Sequence, residues 1–332
     1  MTAIISVVDM LNLLKIVENT LTVPYNMFRL RMIVCLKKKG LFMLKNKETD
    51  ISSAEMTAYW RSLYPLLSGD TLSINLASVE GIQKAKIFEE KFKYPLVGRK
   101  VSVRAGFMLQ KTMEILSTGL YDSCISLGSG FSMLTYILAE ELNRNNDMPI
   151  QFIDLDLPEI IEERKRRVSR LIVDKKISAY VVSTIQNVEM DIERTHITDI
   201  SFKDVFRRCK RPLFIVEGLI YFLTEDCVEW LMQQTTRYDL SAVIFDYWPE
   251  TGVSESLCFR NAIRAMAGFM PENVKSFWSD EAIEKLSYLF KRAENLKIKN
   301  IENEMSEKNL DTPRFIDSNT FFPVQIFVGQ RL

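Results

Sequence analysis

The chain has 332 residues, enough to bury a large core as one α/β domain or two small ones. Its 43 Lys and Arg balance 43 Asp and Glu, so nothing suggests a broad electrostatic grip on nucleic acid. A single histidine, His196, excludes a site with two His ligands and counts against a His-based hydrolytic triad. A P-loop motif is absent as well.

Residues 4–17 form an apolar run, but Asp9, Lys15 and Glu18 interrupt it, and it is too short and too charged to span a membrane. It reads as an amphipathic helix; a peripheral membrane contact through it and Lys37-Lys38-Lys39 stays open. The five cysteines contain no C-x-x-C pair and no secretory signal precedes them, so they read as buried thiols in a reducing, cytoplasmic compartment. Through residue 95 the chain looks helical, with apolar stretches such as 32–36 and 58–67 that are each too short to bury their own face. They are expected to form a helical cap on a domain spanning 96–332.

From Tyr121 onward strand-like and helix-like runs alternate, the pattern of a mostly parallel sheet with helices on both faces. Cys124-Ile125-Ser126-Leu127 reads as a buried strand and Gly128-Ser129-Gly130 as a tight turn. Met133, Leu134, Ile137, Leu138 and Leu142 then recur at helical spacing. A second strand, 150–153, ends in Asp154 and Asp156, and Pro158 opens the next helix with Glu159, Glu162 and Glu163 in its first turns. Residues 213–216 read as a fully buried strand, Thr224 as the N-cap of another helix, and 242–245 as a central strand ending in Asp246-Tyr247. An excursion near 249–279, a last helix over about 280–292, a polar stretch through Lys308 and a closing strand at 323–328 complete the order.

Ligands in open α/β sheets bind at the carboxyl ends of the strands. Those ends carry Gly128 and Gly130, Asp154 and Asp156, Glu217-Gly218, and Asp246-Tyr247. Glycines let the backbone approach a ligand closely, and an acid at the end of the next strand accepts hydrogen bonds from ribose hydroxyls. The order predicts a Rossmann-like sheet holding a nucleoside. Glu217 resists a structural explanation, because a carboxylate ending so apolar a strand needs a buried partner.

Four blocks resemble the leucine carboxyl methyltransferases and their bacterial relatives. Ser126-Leu127-Gly128-Ser129-Gly130 is similar to the family's glycine motif, and Phe152-Ile153-Asp154-Leu155-Asp156-Leu157-Pro158-Glu159 to its second-strand signature. Ile215-Val216-Glu217-Gly218-Leu219-Ile220-Tyr221-Phe222-Leu223-Thr224 resembles its fourth-strand signature. Gly98-Arg99-Lys100-Val101-Ser102-Val103-Arg104 resembles its double-arginine segment. The resemblance implies a class I methyltransferase sheet and S-adenosylmethionine as cofactor. It assigns Arg104 to the carboxylate of the methionine moiety, Gly128 and Gly130 to close backbone approach, and Asp156, with Asp154 beside it, to the ribose. Glu217 would face the amino group near the sulfonium, His196 would stand where the family has an aspartate for the adenine amino group, and Ile197 would be an apolar adenine contact. Other readings stay open: a surface role for Arg99 or Arg104, a helix cap for Asp154, a satisfied core residue for His196. The chain departs from the family at Ser132-Met133, where an Asp-Thr pair is common.

Methyl transfer from a sulfonium is an in-line displacement, in which the enzyme supplies proximity and alignment. A carboxylate acceptor is already ionised, whereas a hydroxyl needs a base. With the one histidine aligned to the adenine pocket, the expected product is a methyl ester of a small or carrier-bound acid, as in natural-product tailoring. Hydroxyl methylation assisted by Asp246, Tyr247 or Glu250 is the alternative within the enzyme class, and a catalytically silent cofactor-binding protein the alternative outside it. Arg260 and Arg264, four apart on one helix face, could hold a second substrate carboxylate or stand as solvated arginines on an insertion.

Overall fold

The computed structural model describes residues 51–92, 97–142, 150–198, 200–251, 260, 261, 263, 274–297 and 324–332. Four helices come first: α1 (Ser52–Ser62), α2 (Pro65–Ser68), α3 (Val79–Phe92) and α4 (Val97–Leu116). The sheet follows as β1 (Ser123–Leu127), α5 (Leu134–Leu142), β2 (Gln151–Asp156), α6 (Pro158–Val173), α7 (Ala179–Thr184) and β3 (Ile185–Glu189). Its second half is α8 (Ile192–Thr198), α9 (Phe202–Val205), β4 (Pro212–Val216), α10 (Glu225–Thr235), β5 (Ser241–Tyr247), α11 (Asp280–Ser287), β6 (Arg292–Lys297) and β7 (Gln325–Arg331).

The seven strands lie in the order β3-β2-β1-β4-β5-β7-β6. Strands β1 to β5 pair parallel and β7 runs antiparallel between β5 and β6. From β1 the chain builds outward one way through β2 and β3, then the other way through β4 and β5. The order therefore reverses between β1 and β4, and the crevice at such a switch point is where open α/β sheets hold their ligands.

Every residue of β1, β4 and β5 is buried, which is why these strands carry unbroken apolar runs. Strand alternation splits the core in two. Cys124, Phe152, Leu213, Ile215, Ala242 and Ile244 face one side, where they pack with Met56, Trp60, Leu67 and Leu76 of the leading helices. Ile125, Ile153, Phe214, Val243, Phe245 and Tyr247 face the other. Caps and helix starts follow the sequence reading: Pro158 opens α6 with Glu159 in its first turn, and the Thr224 hydroxyl accepts the Cys227 N–H at the start of α10.

Two strands were not expected. β3 reads Ile-Gln-Asn-Val-Glu and β6 reads Arg-Ala-Glu-Asn-Leu-Lys, and both are sheet edges. The last helix stops at Ser287 instead of continuing to Arg292, because Phe290 turns inward onto Phe327 and Lys291 N–H bonds the Gln330 carbonyl, which begins β6. The ends of the expected excursion are paired: Trp278 N–H bonds the Trp248 carbonyl, and Glu250 N–H the Trp278 carbonyl. Arg264 and residues 1–50 lie outside the described residues. No helix among the described residues is long and apolar enough to cross a membrane.

Candidate active site

Gly128 and Gly130 both take left-handed backbone angles, φ 67° and 50°, at the carboxyl end of β1. The turn is tied to β2, since Gly128 and Ser129 N–H groups both bond the Leu155 carbonyl. Leu219, from the segment after β4, packs so closely on Gly128 that a Cβ there would lie 2.9 Å from its side chain. Gly130 N–H bonds an Asp156 carboxylate oxygen at 2.6 Å, and Leu157 N–H bonds the other at 2.8 Å. Burial pushes the Asp156 carboxyl up to about 6, against the pull of those two N–H groups and of Arg164.

Across the switch point lies a buried group of charges. Arg104, from α4, donates through Nη1 to Asp246 at 3.1 Å and to the Tyr221 hydroxyl at 3.0 Å. Its Nε and Nη2 both stand 3.3 Å from Glu217. Arg61, at the end of α1, reaches the same Glu217 oxygen at 2.5 Å. Asp246 completes its shell by accepting the Gly218 N–H at 2.6 Å. With Asp70 3.8 Å from Arg61, two cations and three anions are thus paired out of water, the two arginines 4%, Glu217 7%, Asp246 0% and Asp70 2% exposed. Burial would raise the Glu217 carboxyl, but Arg61 and Arg104 outweigh it and hold the group below the usual carboxylate range. For Asp246 burial wins over Arg104 and the Gly218 N–H, and its carboxyl is raised.

A family model described as leucine carboxyl methyltransferase matches residues 54–236, more than half of the chain. The chain belongs to the leucine carboxyl methyltransferase family. Similar solved structures include a DUF574 family protein from Streptomyces avermitilis, with TM-score 0.53 and 10% identity over 84% of this chain and 97% of that one. A protein from Thermobifida fusca assigned to the methyltransferases gives 0.51 and 15% over 85% and 96%. A magnesium protoporphyrin IX methyltransferase from Synechocystis, solved with SAH bound, is more distant at 0.44 and 12% over 76% and 95%. A search of curated proteins found no match. The fold is the class I methyltransferase sheet that the motifs imply.

The methyl donor of the leucine carboxyl methyltransferases is S-adenosylmethionine, and the residues here fit it. The amino-acid end of that molecule carries a carboxylate and an ammonium, and the buried arginines and acids offer both complements within one cluster. The glycine turn and Asp156 stand beside it on the neighbouring strand ends. Four of the expected residues, Arg104, Gly128, Asp156 and Glu217, fall around this one crevice, with Gly130 bound to Asp156.

Other expected positions are placed elsewhere. Asp154 is 0% exposed, paired with Arg164 at 2.8 Å and bonded by the Thr135 hydroxyl at 2.9 Å, so its carboxylate serves the interior and caps no helix. Tyr247 points to the sheet face opposite Asp246 and donates to Gln325 at 2.8 Å, away from the crevice. Asp246 does lie in the crevice, but as the bound partner of Arg104 and not as a free base. His196 sits in the second turn of α8, its ring 5.6 Å from Trp230, and Ile197 is 81% exposed. Arg260 is exposed. The Ser132 hydroxyl accepts the Leu134 N–H at the start of α5, and Met133 N–H bonds Ser73, so this departure from the family is absorbed locally.

Three residues went unnoticed in the sequence. Arg61 comes from a helix with no motif of its own. Tyr221 lies in the segment after β4; it stacks on Trp248 at 4.0 Å beneath its bond to Arg104. Asp191 lies two residues past the end of β3 and accepts the Arg194 N–H, and Met190 between them bonds the Asp156 carbonyl through its N–H. Recognising β3 would have drawn attention to the acids at and just past its end, Glu189 and Asp191.

Proposed function

We propose that the protein transfers the methyl group of S-adenosylmethionine to a carboxylate oxygen of a small or carrier-bound acid, giving a methyl ester. The cofactor supplies an electrophilic methyl on a sulfonium. Arg104 takes the carboxylate of the methionine moiety, a task suited to a planar guanidinium. Glu217 faces the ammonium, Gly128 lets the backbone lie along that end, and Asp156 accepts from the ribose hydroxyls. Asp191, in the loop just past β3, is an acid for the adenine beside the expected His196.

One observation carries the choice of acceptor: the bases that the sequence placed at the end of β5, Asp246 and Tyr247, are engaged or turned away. Asp246 is held by Arg104 and the Gly218 N–H, and Tyr247 lies on the opposite face. Glu250 is exposed beyond the end of β5, and His196 packs on Trp230. A hydroxyl acceptor would need a base to take its proton, and none of these four is poised to do so, whereas a carboxylate of ordinary pKa is ionised at neutral pH and needs none. The buried cluster then aligns the reactants without proton transfer.

The test is incubation with methyl-labelled S-adenosylmethionine and a panel of carboxylic acids and alcohols. Label released as volatile methanol by mild base is the expected outcome. Base-stable label on an alcohol would overturn the ester reading, and cofactor binding without transfer to any acceptor would favour a silent protein.

A further inference from the structure

The turn that meets the cofactor is held from behind by a residue with no assigned role. Arg164 lies on α6 and is fully buried. Its Nη1 donates to the carbonyls of Ser129 at 3.2 Å and Gly130 at 2.7 Å, and its Nη2 to the carbonyl of Ser132. Asp154, itself bonded by Thr135, neutralises the guanidinium at 2.8 Å, and the Tyr136 ring lies 5.2 Å away. The peptide joining Ser129 and Gly130 is thereby gripped on both sides, its carbonyl by Arg164 and its N–H by Asp156.

We propose that Arg164 is a positioning residue for cofactor binding: it holds the glycine turn by its carbonyls and, through the peptide between Ser129 and Gly130, sets the orientation of the Asp156 carboxylate. A turn of this kind, with two left-handed glycines, has little of its own to choose one arrangement over others. Three donated hydrogen bonds from one rigid fork remove that freedom before any ligand arrives. Lysine cannot reproduce this, because its single ammonium lacks the planar spread that reaches three carbonyls and a carboxylate together.

The inference rests on the proposed use of S-adenosylmethionine, and the experiment separates the two. S-adenosylhomocysteine is titrated calorimetrically into the full chain, Arg164→Lys, Asp156→Asn and the double variant, with thermal melts establishing that each is folded. Arg164→Lys should weaken binding at least tenfold, equivalent to about 1.4 kcal/mol. The double variant should bind within about threefold of Asp156→Asn alone, since both residues act through one peptide. A merely structural arginine would instead add its loss to that of Asp156→Asn. Should Arg164→Lys fail to fold, the paired variant Asp154→Asn/Arg164→Gln strands no buried charge and replaces it under the same expectations. Unchanged affinity in folded Arg164→Lys, or additive losses, overturns this proposal alone. A parent protein that binds no S-adenosylhomocysteine overturns the functional reading and this proposal with it.

Discussion

Asp154 and Asp156 show how two neighbouring carboxylates on one strand face come to different ends. The strand period of two puts both on the side of Phe152, but only Asp156 reaches the strand terminus and the glycine turn. Asp154 stays inside the sheet, where an unpaired charge would be prohibitive, and α6 supplies Arg164 to meet it. A signal for this pairing was present in the sequence: Ile161, Arg164, Val168 and Leu171 form the buried stripe of α6, and an arginine in that stripe implies a buried acid. The Asp156 carboxyl, raised to about 6 from 3.8, leads to a prediction with a definite sign. Between about 4 and 6 the unfolded chain has lost this proton and the folded chain keeps it, so this group costs stability as pH rises. In the proposed ribose role Asp156 accepts as the ionised carboxylate, so affinity for S-adenosylhomocysteine should fall as pH drops through about 6. Asp156→Asn should bind more weakly at pH 7 by roughly 1–3 kcal/mol and show no such dependence. Calorimetry at three pH values reads both effects; a pH dependence that survives in the variant would place the ribose acid elsewhere.

At the scale of elements, what the sequence revealed tracked burial. β1, β4 and β5 were visible as apolar runs because both their faces are covered, and β2 because its acids end an apolar stretch. β3 and β6 were missed because they are edges, where Gln186, Asn187, Arg292 and Glu294 blur the alternation that marks a half-buried strand. The glycine turn was legible for the opposite reason, since only glycine takes left-handed angles at little cost. Two glycines of similar φ separate conformational strain from contact. Gly119→Ala, at φ 70° with open space around it, should lose only the left-handed penalty of about 1–2 kcal/mol. Gly128→Ala, at φ 67°, must also displace Leu219 and so should lose more in thermal or denaturant unfolding, and weaken S-adenosylhomocysteine binding as well. Equal losses in the two variants, with binding intact, would show that Leu219 gives way freely and that the turn is not at the ligand.

For the whole molecule the open question is where the catalytic unit begins, and the buried charge cluster answers it in residues. Residues 50–332 form one compact unit. Within it, Met56, Trp60, Leu67, Leu76 and Phe88 share a core cluster with Phe152 and Ile244 of the sheet, and Arg61 supplies one of the two cations on Glu217. A boundary at residue 95, natural when helices are weighed by length and motif alone, would strip that face and leave Glu217 with Arg104 only. The sequence hid this because α1 carries no motif and its arginine becomes meaningful only when Glu217 is beside it. A chain beginning at Asp50 is therefore expected to melt within about 2 °C of the full protein, a shift of roughly 1 kcal/mol for a domain of this size. It should also bind S-adenosylhomocysteine with unchanged affinity. A chain beginning at Leu96 should be insoluble or unfolded, because five large core side chains on the sheet's covering layer are gone and an apolar face is exposed. Arg61→Ala in the full chain isolates the electrostatic part. Removing one partner from a buried charge group strands the others, so stability should fall by roughly 3–5 kcal/mol and affinity should fall with it. Full stability and binding in the chain from Leu96, or an Arg61→Ala protein that binds as the parent does, would place the leading helices outside the site and return the cofactor's acidic end to Arg104 alone.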